Sequence, residues 1–201
     1  MPRRDFDPAA LGGQIYPLLN SVVVPRPIAW VTTRSAAGVD NLAPHSFFTI
    51  SSVEPPVVQF TSVGHKDSLR NAVATGEFVV SLCPEHLLEQ VNRTATDYPA
   101  QISEYDAVGL TREPSTRVAP CRVAESPVAI ECRVVGTREF GGTSTVVFGE
   151  VVWVAVDEAV LRDGRPVIDL LRPLARLGAN EWSTIGEVSE HRRVPFTELS
   201  A

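Results

Sequence analysis

The segment 65–71, HKDSLRN, holds the residues best suited to binding an anion. Lys66 is the one lysine of a chain with 18 basic residues, and Ser68 follows it at the predicted start of a helix. The first N–H groups of a helix have no partner inside the helix, and the helix dipole favours negative charge beside them. A phosphate here would therefore be bound by backbone N–H groups, the Ser68 hydroxyl and the Lys66 ammonium. The alternative is that Asp67 or Ser68 only caps the helix and that Lys66 is a solvated charge.

The segment 41–48, NLAPHSFF, could bind a flat heteroaromatic ligand. Its small and polar residues offer backbone and side-chain hydrogen bonds, and its phenylalanines offer apolar walls. These residues are Asn41, Ala43, Pro44, Ser46, Phe47 and Phe48. Such a mixture suits a ligand with several polar edges and one apolar face. The alternative is a strand interrupted by proline, whose two phenylalanines belong to the core, as Trp30 would by default.

The composition excludes several classes of protein. The chain has 201 residues, 44% of them hydrophobic, which is enough to bury a core without disulfides or metals. The net charge of −6 argues against a protein that binds nucleic acid, which needs a clustered basic face. No apolar run approaches the roughly 18 residues of a membrane span, and no apolar region typical of a secretory signal follows the N-terminus. Three cysteines without CxxC spacing, Cys83, Cys121 and Cys132, favour reduced thiols in a cytoplasmic protein.

Motifs of the common nucleotide- and metal-dependent enzymes are missing from the sequence. It contains neither the P-loop pattern nor a G-x-G-x-x-G after a strand, and it has no G-x-S-x-G elbow. Its four histidines, His45, His65, His86 and His191, lack the spacing of metal ligands. We therefore predict no metal site, and we assign no catalytic acid or base.

Short runs of Val, Ile, Phe and Thr bounded by Pro and Gly predict a mainly β protein. The predicted strands are 22–24, 28–34, 46–52, 57–61, 78–82, 129–139 and 145–156. Gly141 and Gly142 predict a hairpin between the last two of these strands. Because the segment 146–156 is almost wholly apolar, we expect a central barrel strand that is covered on both faces.

Helices are predicted to be few and short. The segment 68–75 is followed by Gly76 as a C-terminal cap, and the segment 84–94 begins with proline and glutamate. The segment 168–177 could be helical, but Pro173 must begin, kink or break it.

No repeat or long linker divides the chain, so residues 1–201 are predicted to form one domain. The domain would be a closed or nearly closed antiparallel barrel, over about 20–157, with helices packed outside it. An irregular C-terminal arm, over about 178–201, would follow and could lie on a partner subunit.

Taken together, these segments resemble the flavin reductase-like family of FMN-binding split-barrel proteins, to which flavoredoxin belongs. The resemblance rests on N-x-A-P-x-S-F at 41–47, K-D-S at 66–68 and T-G-E-F-V-V at 75–80. Weaker similarities at 148–151 and 176–178 extend it over most of the chain. It implies a Greek-key split barrel, a homodimer, and FMN bound without a covalent bond near the subunit interface.

The resemblance also implies which residues bind FMN. Thr32, Thr33 and the segment 41–48 would contact the flavin and its ribityl chain, and Trp30 would flank the ring. The phosphate would be held by a separate group of residues: Ser62, Lys66 and Ser68, with Asp67 orienting their loop. The full set is Trp30, Thr32, Thr33, Asn41, Ala43, Pro44, His45, Ser46, Phe47, Phe48, Ser62, Lys66, Asp67 and Ser68. The chemistry would then belong largely to the flavin, while the protein places donors, excludes water and tunes the potential.

One departure from the family concerns the electron donor. Members that reduce free flavin with NADH show Gly-Asp-His before a Gly-x-Val strand, whereas this chain has Thr143 and Ser144 in place of the Asp and His. The replacement argues against NAD(P)H:flavin reductase activity and leaves FMN binding unaffected. It favours a flavoredoxin-like oxidoreductase, in which bound FMN passes electrons between proteins or acts on a small substrate.

Two other functions stay open at this point. One is an NAD(P)H:FMN reductase that takes electrons from NADH or NADPH and supplies reduced flavin to a monooxygenase partner. The other is a flavin-binding module without catalysis. The motifs do not decide whether FMN is a prosthetic group or a diffusible substrate.

Overall fold

The computed structural model of the protein describes residues 1–199; positions 200 and 201 of the predicted C-terminal arm lie outside the described residues. The α-helices are α1 (Pro8–Leu11), α2 (Ile15–Val22), α3 (Asp67–Thr75), α4 (Leu88–Arg93), α5 (Glu104–Val108), α6 (Ile168–Leu171) and α7 (Phe196–Leu199). The strands are β1 (Arg26–Pro27), β2 (Ala29–Arg34), β3 (Asp40–His45), β4 (Phe48–Ser52), β5 (Val57–Val63), β6 (Glu77–Leu82), β7 (Arg112–Glu113), β8 (Arg122–Val123), β9 (Val128–Phe140), β10 (Ser144–Val156), β11 (Leu161–Arg162), β12 (Arg165–Pro166), β13 (Ala175–Arg176) and β14 (Trp182–Ser183). Short 3₁₀ turns cover Gly12–Gln14, Glu85–Leu87 and Glu158–Val160. None of the helices in residues 1–199 is long and apolar enough to cross a membrane.

A large antiparallel sheet forms the centre of the molecule, so the prediction of a mainly β protein with peripheral helices is confirmed. Its strand order is β3-β2-β6-β9-β10-β5-β4, with antiparallel pairing throughout. The predicted hairpin is also present, because β9 and β10 pair from Phe140 and Ser144 onwards. Gly141 and Gly142 have positive φ in its turn, a conformation that glycine adopts without a steric penalty.

The two ends of the sheet meet at a corner, which curls the sheet into a barrel. The end strands β3 and β4 follow each other in the chain and are joined by Ser46 and Phe47. Thr61 of β5 donates its N–H to the Phe47 carbonyl at 2.9 Å. The Nδ1 atom of His45, at the end of β3, lies 3.3 Å from the Thr61 carbonyl oxygen. We call this corner, formed by residues 45–47 and Thr61, the seam.

The β2 strand is buried on both faces because it separates two hydrophobic cores. Ala29 and Val31 point into the barrel, where they join Phe60 of β5 and other buried side chains. Trp30, between them, points to the outside and joins the core beneath the helices around α4 and α5. The three cysteines are free and buried, Cys132 in the barrel core and Cys83 and Cys121 in the outer core.

The α3 helix closes one end of the barrel. Its residues Leu69 and Ala72 are buried in the barrel core, and the helix ends as predicted at Gly76, which takes the left-handed conformation. The barrel is packed so tightly that β10 needs a glycine where it crosses Phe78. A Cβ at Gly149 would come within 2.3 Å of the Phe78 ring and 2.9 Å of the Cys132 Cβ.

The buried guanidinium of Arg26 ties the N-terminal helix to the sheet and to the region after β13. It donates to the carbonyl oxygens of Asn20 at 2.5 Å and Val23 at 2.8 Å, at the end of α2. Its Nη2 donates to the Leu177 carbonyl at 2.8 Å, and its Nε lies 3.4 Å from the Ser46 hydroxyl at the seam. Burial, with the charge of Arg176 nearby, lowers the pKa of Arg26.

Two sequence predictions of elements are wrong, and a third is confirmed in part. The predicted strand 22–24 is the end of α2 and the turn after it, because the apolar run that begins at Ile15 is helical. The predicted strand 46–52 begins at Phe48, and a separate strand, β3, precedes it. The segment 168–177, expected to be helical unless Pro173 interrupts it, is helical only to Leu171. Arg172 takes a left-handed conformation just before Pro173, so the expected interruption is confirmed.

The prediction that residues 146–156 are covered on both faces holds only for the first half of β10. The strand is central in the sheet, but its pairing with β5 ends at Glu150 opposite Val57. Beyond that point Val151 donates its N–H to the Pro56 carbonyl at 2.9 Å, and within residues 1–199 the strand pairing of β10 continues with β9 alone. Trp153 and Val154 are exposed.

Candidate functional site

An open cleft of about 400 Å³ lies at the seam, where β3, the start of α3 and the loop after α4 come together. This volume falls within the roughly 300–1,000 Å³ that small-molecule and cofactor sites usually have. Of the fourteen predicted site residues, those that line the cleft are Asn41, Ala43, Pro44, His45, Ser46, Phe47, Lys66, Asp67 and Ser68. The two segments singled out from the sequence are thus brought to one cavity.

The first turn of α3 opens on the cleft without a side-chain cap. Lys66 occupies the N-cap position with extended backbone, and no side chain there accepts a hydrogen bond from the helix. The Asp67 carboxylate instead pairs with Arg70, one turn along the helix. The alternative in which Asp67 or Ser68 only caps the helix is therefore wrong, and the first N–H groups of α3 are available to an anion.

Lys66 is half exposed to solvent, as the alternative expects, but its ammonium is paired with a carboxylate. Its ammonium lies 2.6 Å from the Oδ1 atom of Asp97, in the loop that follows α4. Both side chains are exposed at the mouth of the cleft, 50% for Lys66 and 79% for Asp97. Exposed ion pairs of this kind contribute little to stability, typically about 0–1 kcal/mol.

A polar network centred on Asn41 forms the floor of the cleft. The Asn41 Oδ1 atom accepts a hydrogen bond from the Ser68 hydroxyl at 3.0 Å and a longer one from Thr33 at 3.4 Å. Its Nδ2 donates to the Glu104 carboxylate at 2.8 Å, and the Leu42 N–H donates to the same carboxylate at 2.8 Å. One of the two amide hydrogens of Asn41 remains for a ligand.

Glu104 is a buried carboxylate that holds Asn41 in this orientation. Its burial raises its pKa, and the hydrogen bonds from Leu42 and Asn41 oppose that rise. Because a carboxylate only accepts hydrogen bonds, Glu104 requires Asn41 to present its amide nitrogen to it. The Asn41 oxygen must then face Ser68, on α3.

His45 forms part of the apolar wall at the seam. Its ring lies 4.8 Å from the ring of Phe60 between centroids, and its Nε2 atom is buried without a hydrogen-bond partner in residues 1–199. Burial lowers the pKa of His45 to about 4, although the Thr61 carbonyl acts in the opposite direction. The imidazole is therefore neutral at neutral pH.

The opposite wall of the cleft is aromatic. Tyr16, on α2, lies 6.2 Å from Phe47 between ring centroids, and the Arg26 guanidinium stands 5.9 Å from the Phe47 ring centroid. This pair of rings gives the cleft an apolar face beside the polar floor around Asn41, which is the combination that a flat heteroaromatic ligand requires.

Five predicted site residues lie outside the cleft lining. Trp30, Thr32, Thr33 and Ser62 are fully buried, and Phe48 packs against the barrel core. Trp30 donates its Nε1–H to Thr94 at 2.9 Å, and Thr32 shares a 2.7 Å hydrogen bond with the Tyr105 hydroxyl. The Ser62 hydroxyl donates to the Gly64 carbonyl. These residues therefore support the walls and loops of the cleft from behind.

Sequence reasoning missed several residues that line the cleft. They are Tyr16, Thr61, Val63, the loop 94–98 and Glu104. His65 also lines the cleft; it begins the segment 65–71 but was not among the predicted site residues. No motif marks the residues outside this segment, because they reach the cleft from other elements through tertiary packing. Among residues 1–199, no group of three or more His, Cys, Asp or Glu side chains is placed to hold a metal ion.

Comparison with solved structures identifies the architecture. A putative flavin reductase with a split barrel domain from Shewanella frigidimarina aligns over 96% of this chain and 100% of its own, with a TM-score of 0.85 and 21% identity. The predicted split-barrel fold is therefore confirmed.

Two solved structures are more similar in sequence. Nitrilotriacetate monooxygenase component B from Bacillus cereus is 30% identical, with a TM-score of 0.91 over 95% of this chain and 100% of that one. The 2-nitrobenzoate 2-nitroreductase of Pseudomonas fluorescens is 31% identical, with a TM-score of 0.89 over 96% and 98% of the two chains. The sequence pattern of the Flavin reductase like domain matches residues 21–174, and the chain belongs to that family.

Proposed function

We propose that this protein is an oxidoreductase that binds FMN without a covalent bond in the cleft at the seam. The observation that carries the proposal is the uncapped start of α3 beside Lys66 and Ser68, which supplies the donors that a phosphate needs. The solved relatives named as a monooxygenase component and a nitroreductase support the same class of chemistry.

In this proposal each part of the cleft holds one part of FMN. The Lys66 ammonium, the Ser68 hydroxyl and the first N–H groups of α3 would bind the phosphate. The free amide hydrogen of Asn41 would bind the ribityl chain, and residues 43–47 would cover the ring. A bound flavin supplies the ability to accept and release electrons, while the protein binds it, orients it and excludes water.

Replacement of Lys66 by alanine tests this assignment. Hydrogen bonds to charged groups are worth about 1.5–3 kcal/mol, so we expect Lys66→Ala to weaken FMN binding roughly 10- to 100-fold. Riboflavin, which lacks the phosphate, should bind wild type and Lys66→Ala equally. Titrations followed by flavin fluorescence measure both affinities. Equal FMN affinities in the two proteins would refute the phosphate site.

The electron donor is a second point to propose. Thr143 lies in the turn before β10, and Ser144 is the first residue of β10. They replace the Asp and His of members that use NADH, which favours a role in which another protein or a small molecule supplies the electrons. The similarity to a monooxygenase component favours a second candidate, a reductase that supplies reduced flavin to a monooxygenase partner and uses NADH or NADPH.

A visible spectrum of the protein with FMN separates these two candidates. Flavin absorption that persists after NADH and NADPH are added in turn supports the first. Bleaching by either nucleotide establishes the reductase and removes the argument from Thr143 and Ser144. An FMN-binding protein that no reductant or acceptor turns over would be a binding module instead.

We also propose that the protein is a homodimer in the cytoplasm. Support for the dimer comes from the exposed apolar side chains of α2, next to the cleft. Support for the location comes from three free, buried cysteines, since thiols remain reduced in that compartment.

A further inference from the structure

The mouth of the cleft contains a contact that opposes phosphate binding. Asp97 places its Oδ1 atom 2.6 Å from the Lys66 ammonium. The Asp97 side chain makes no other hydrogen bond or ion pair within residues 1–199, and 79% of it is exposed. Within the described residues, the Lys66 ammonium is therefore the one partner of this carboxylate.

The cleft lining has more carboxylates than cations, so no second lysine or arginine of the described lining could bind a phosphate in place of Lys66. Apart from the histidines, the charged residues of the cleft lining are Lys66, Asp67, Asp97 and Glu104. Asp67 is paired with Arg70, and Glu104 is hydrogen-bonded to Asn41 without a cation. Lys66 is thus the one lysine or arginine in the cleft lining of the described residues, and Asp97 already neutralises it.

Side-chain hydrogen bonds anchor the loop that carries Asp97 at its start, at Thr94. Thr94 accepts the Trp30 Nε1–H at 2.9 Å and donates to the Val91 carbonyl at 2.9 Å. Beyond Thr94, the side-chain contact that links this loop to the start of α3 in the described residues is the one between Asp97 and Lys66. A ligand that takes Lys66 would break this link without disturbing Thr94.

We propose that Asp97 competes with the flavin phosphate for Lys66 and so lowers the affinity for the flavin. This inference rests on the proposed function, because it requires the phosphate to lie at Lys66. A phosphate must displace the Asp97 carboxylate from the Lys66 ammonium, and the loss of that contact costs binding free energy. FMN is accordingly bound more weakly than Lys66 and the start of α3 would allow alone, and removing the Asp97 charge strengthens its binding.

The test is the affinity of the Asp97→Asn variant for FMN and for riboflavin. Asparagine keeps the size of the side chain and removes its charge. We expect FMN to bind about 3- to 10-fold more tightly at low salt, with slower dissociation in stopped-flow experiments, and riboflavin to bind as in wild type. Asp163→Asn removes one charge from an exposed turn and should leave both affinities unchanged.

A double variant shows whether the effect passes through Lys66. In a Lys66→Ala background, Asp97→Asn should lose most of its benefit, because no ammonium is left to release. An equal benefit in that background, an unchanged or weaker FMN affinity, or an equal gain for riboflavin would each overturn the competition. If neither wild type nor Asp97→Asn binds FMN, the proposed function itself fails.

Discussion

At the scale of the residue, His45 connects the ligand cleft to the stability of the barrel. Its ring lies against Phe60, which is fully buried and packs against Phe78 at 5.2 Å between ring centroids. Burial lowers its pKa to about 4, whereas histidine in an unfolded chain titrates near 6.5. As the pH falls from about 6.5 to about 4, the unfolded chain therefore takes up a proton that the folded protein does not.

We predict that the free energy of unfolding falls over this pH range because of His45. The difference in pKa corresponds to a loss of at most about 3 kcal/mol, complete near pH 4. His45→Gln, which cannot take up a proton, should show a smaller fall. Urea unfolding of both proteins at several pH values measures the difference. Because the raised pKa of Glu104 acts in the opposite direction in both proteins, parallel curves would rule out the role of His45.

The residues of the cleft differ in how far the sequence could predict them. Lys66, Ser68 and Asn41 lie in motifs with a chemical rationale, and they meet in the cleft. Glu104 and Asp97 could not be found in this way, because they come from a helix and a loop whose sequences carry no motif. The sequence also does not show to which side of β2 Thr32 and Thr33 point. Every residue from Ala29 to Thr33 is buried, so the strand lacks the alternation that would distinguish its two faces.

At the scale of the element, β10 depends on a glycine in the middle of the strand. We predict that Gly149→Ala destabilises the protein by about 1–3 kcal/mol, because the added methyl group collides with Phe78 and Cys132 in the barrel core. Gly136→Ala, on the neighbouring strand, meets no atom within 4 Å and serves as the control. Chemical unfolding measures both variants, and equal stability for the two would contradict the packing argument.

The same scale shows why β3 was missed from the sequence. Pro44 lacks an N–H group and cannot donate to a sheet, which is why the predicted strand began only at residue 46. The structure places this residue on β3, an end strand of the sheet, where proline is tolerated. The strands β5, β6 and β9 were predicted close to their observed bounds because their apolar runs are bounded by clear turns.

At the scale of the whole molecule, α2 carries an apolar stripe that nothing covers within residues 1–199. Tyr16, Leu19 and Val22 are spaced three residues apart and are each at least half exposed. The stripe borders the cleft through Tyr16. Its exposure and its position beside the cleft are the basis of the proposed contact with a second copy of the chain.

We predict that Leu19→Glu shifts the protein from dimer to monomer, because a buried interface does not accept an unpaired carboxylate. Light scattering after size-exclusion chromatography measures the molar mass. Val73→Glu, on the exposed side of α3, is the matched control and should leave the mass unchanged. A wild-type protein with the mass of one chain would rule out the dimer.

The distribution of the three cysteines makes them internal reporters of how the molecule opens. Burial raises the pKa of Cys121 to about 11, that of Cys132 to about 12, and that of Cys83 well above its usual value. Only the thiolate reacts with alkylating reagents, so each thiol is protected while its surroundings stay closed. Alkylation of Cys132 therefore reports local unfolding of the barrel core. Alkylation of Cys83 and Cys121 reports local unfolding of the outer core. Mass spectrometry of the labelled peptides can time these two events separately in the unmodified chain.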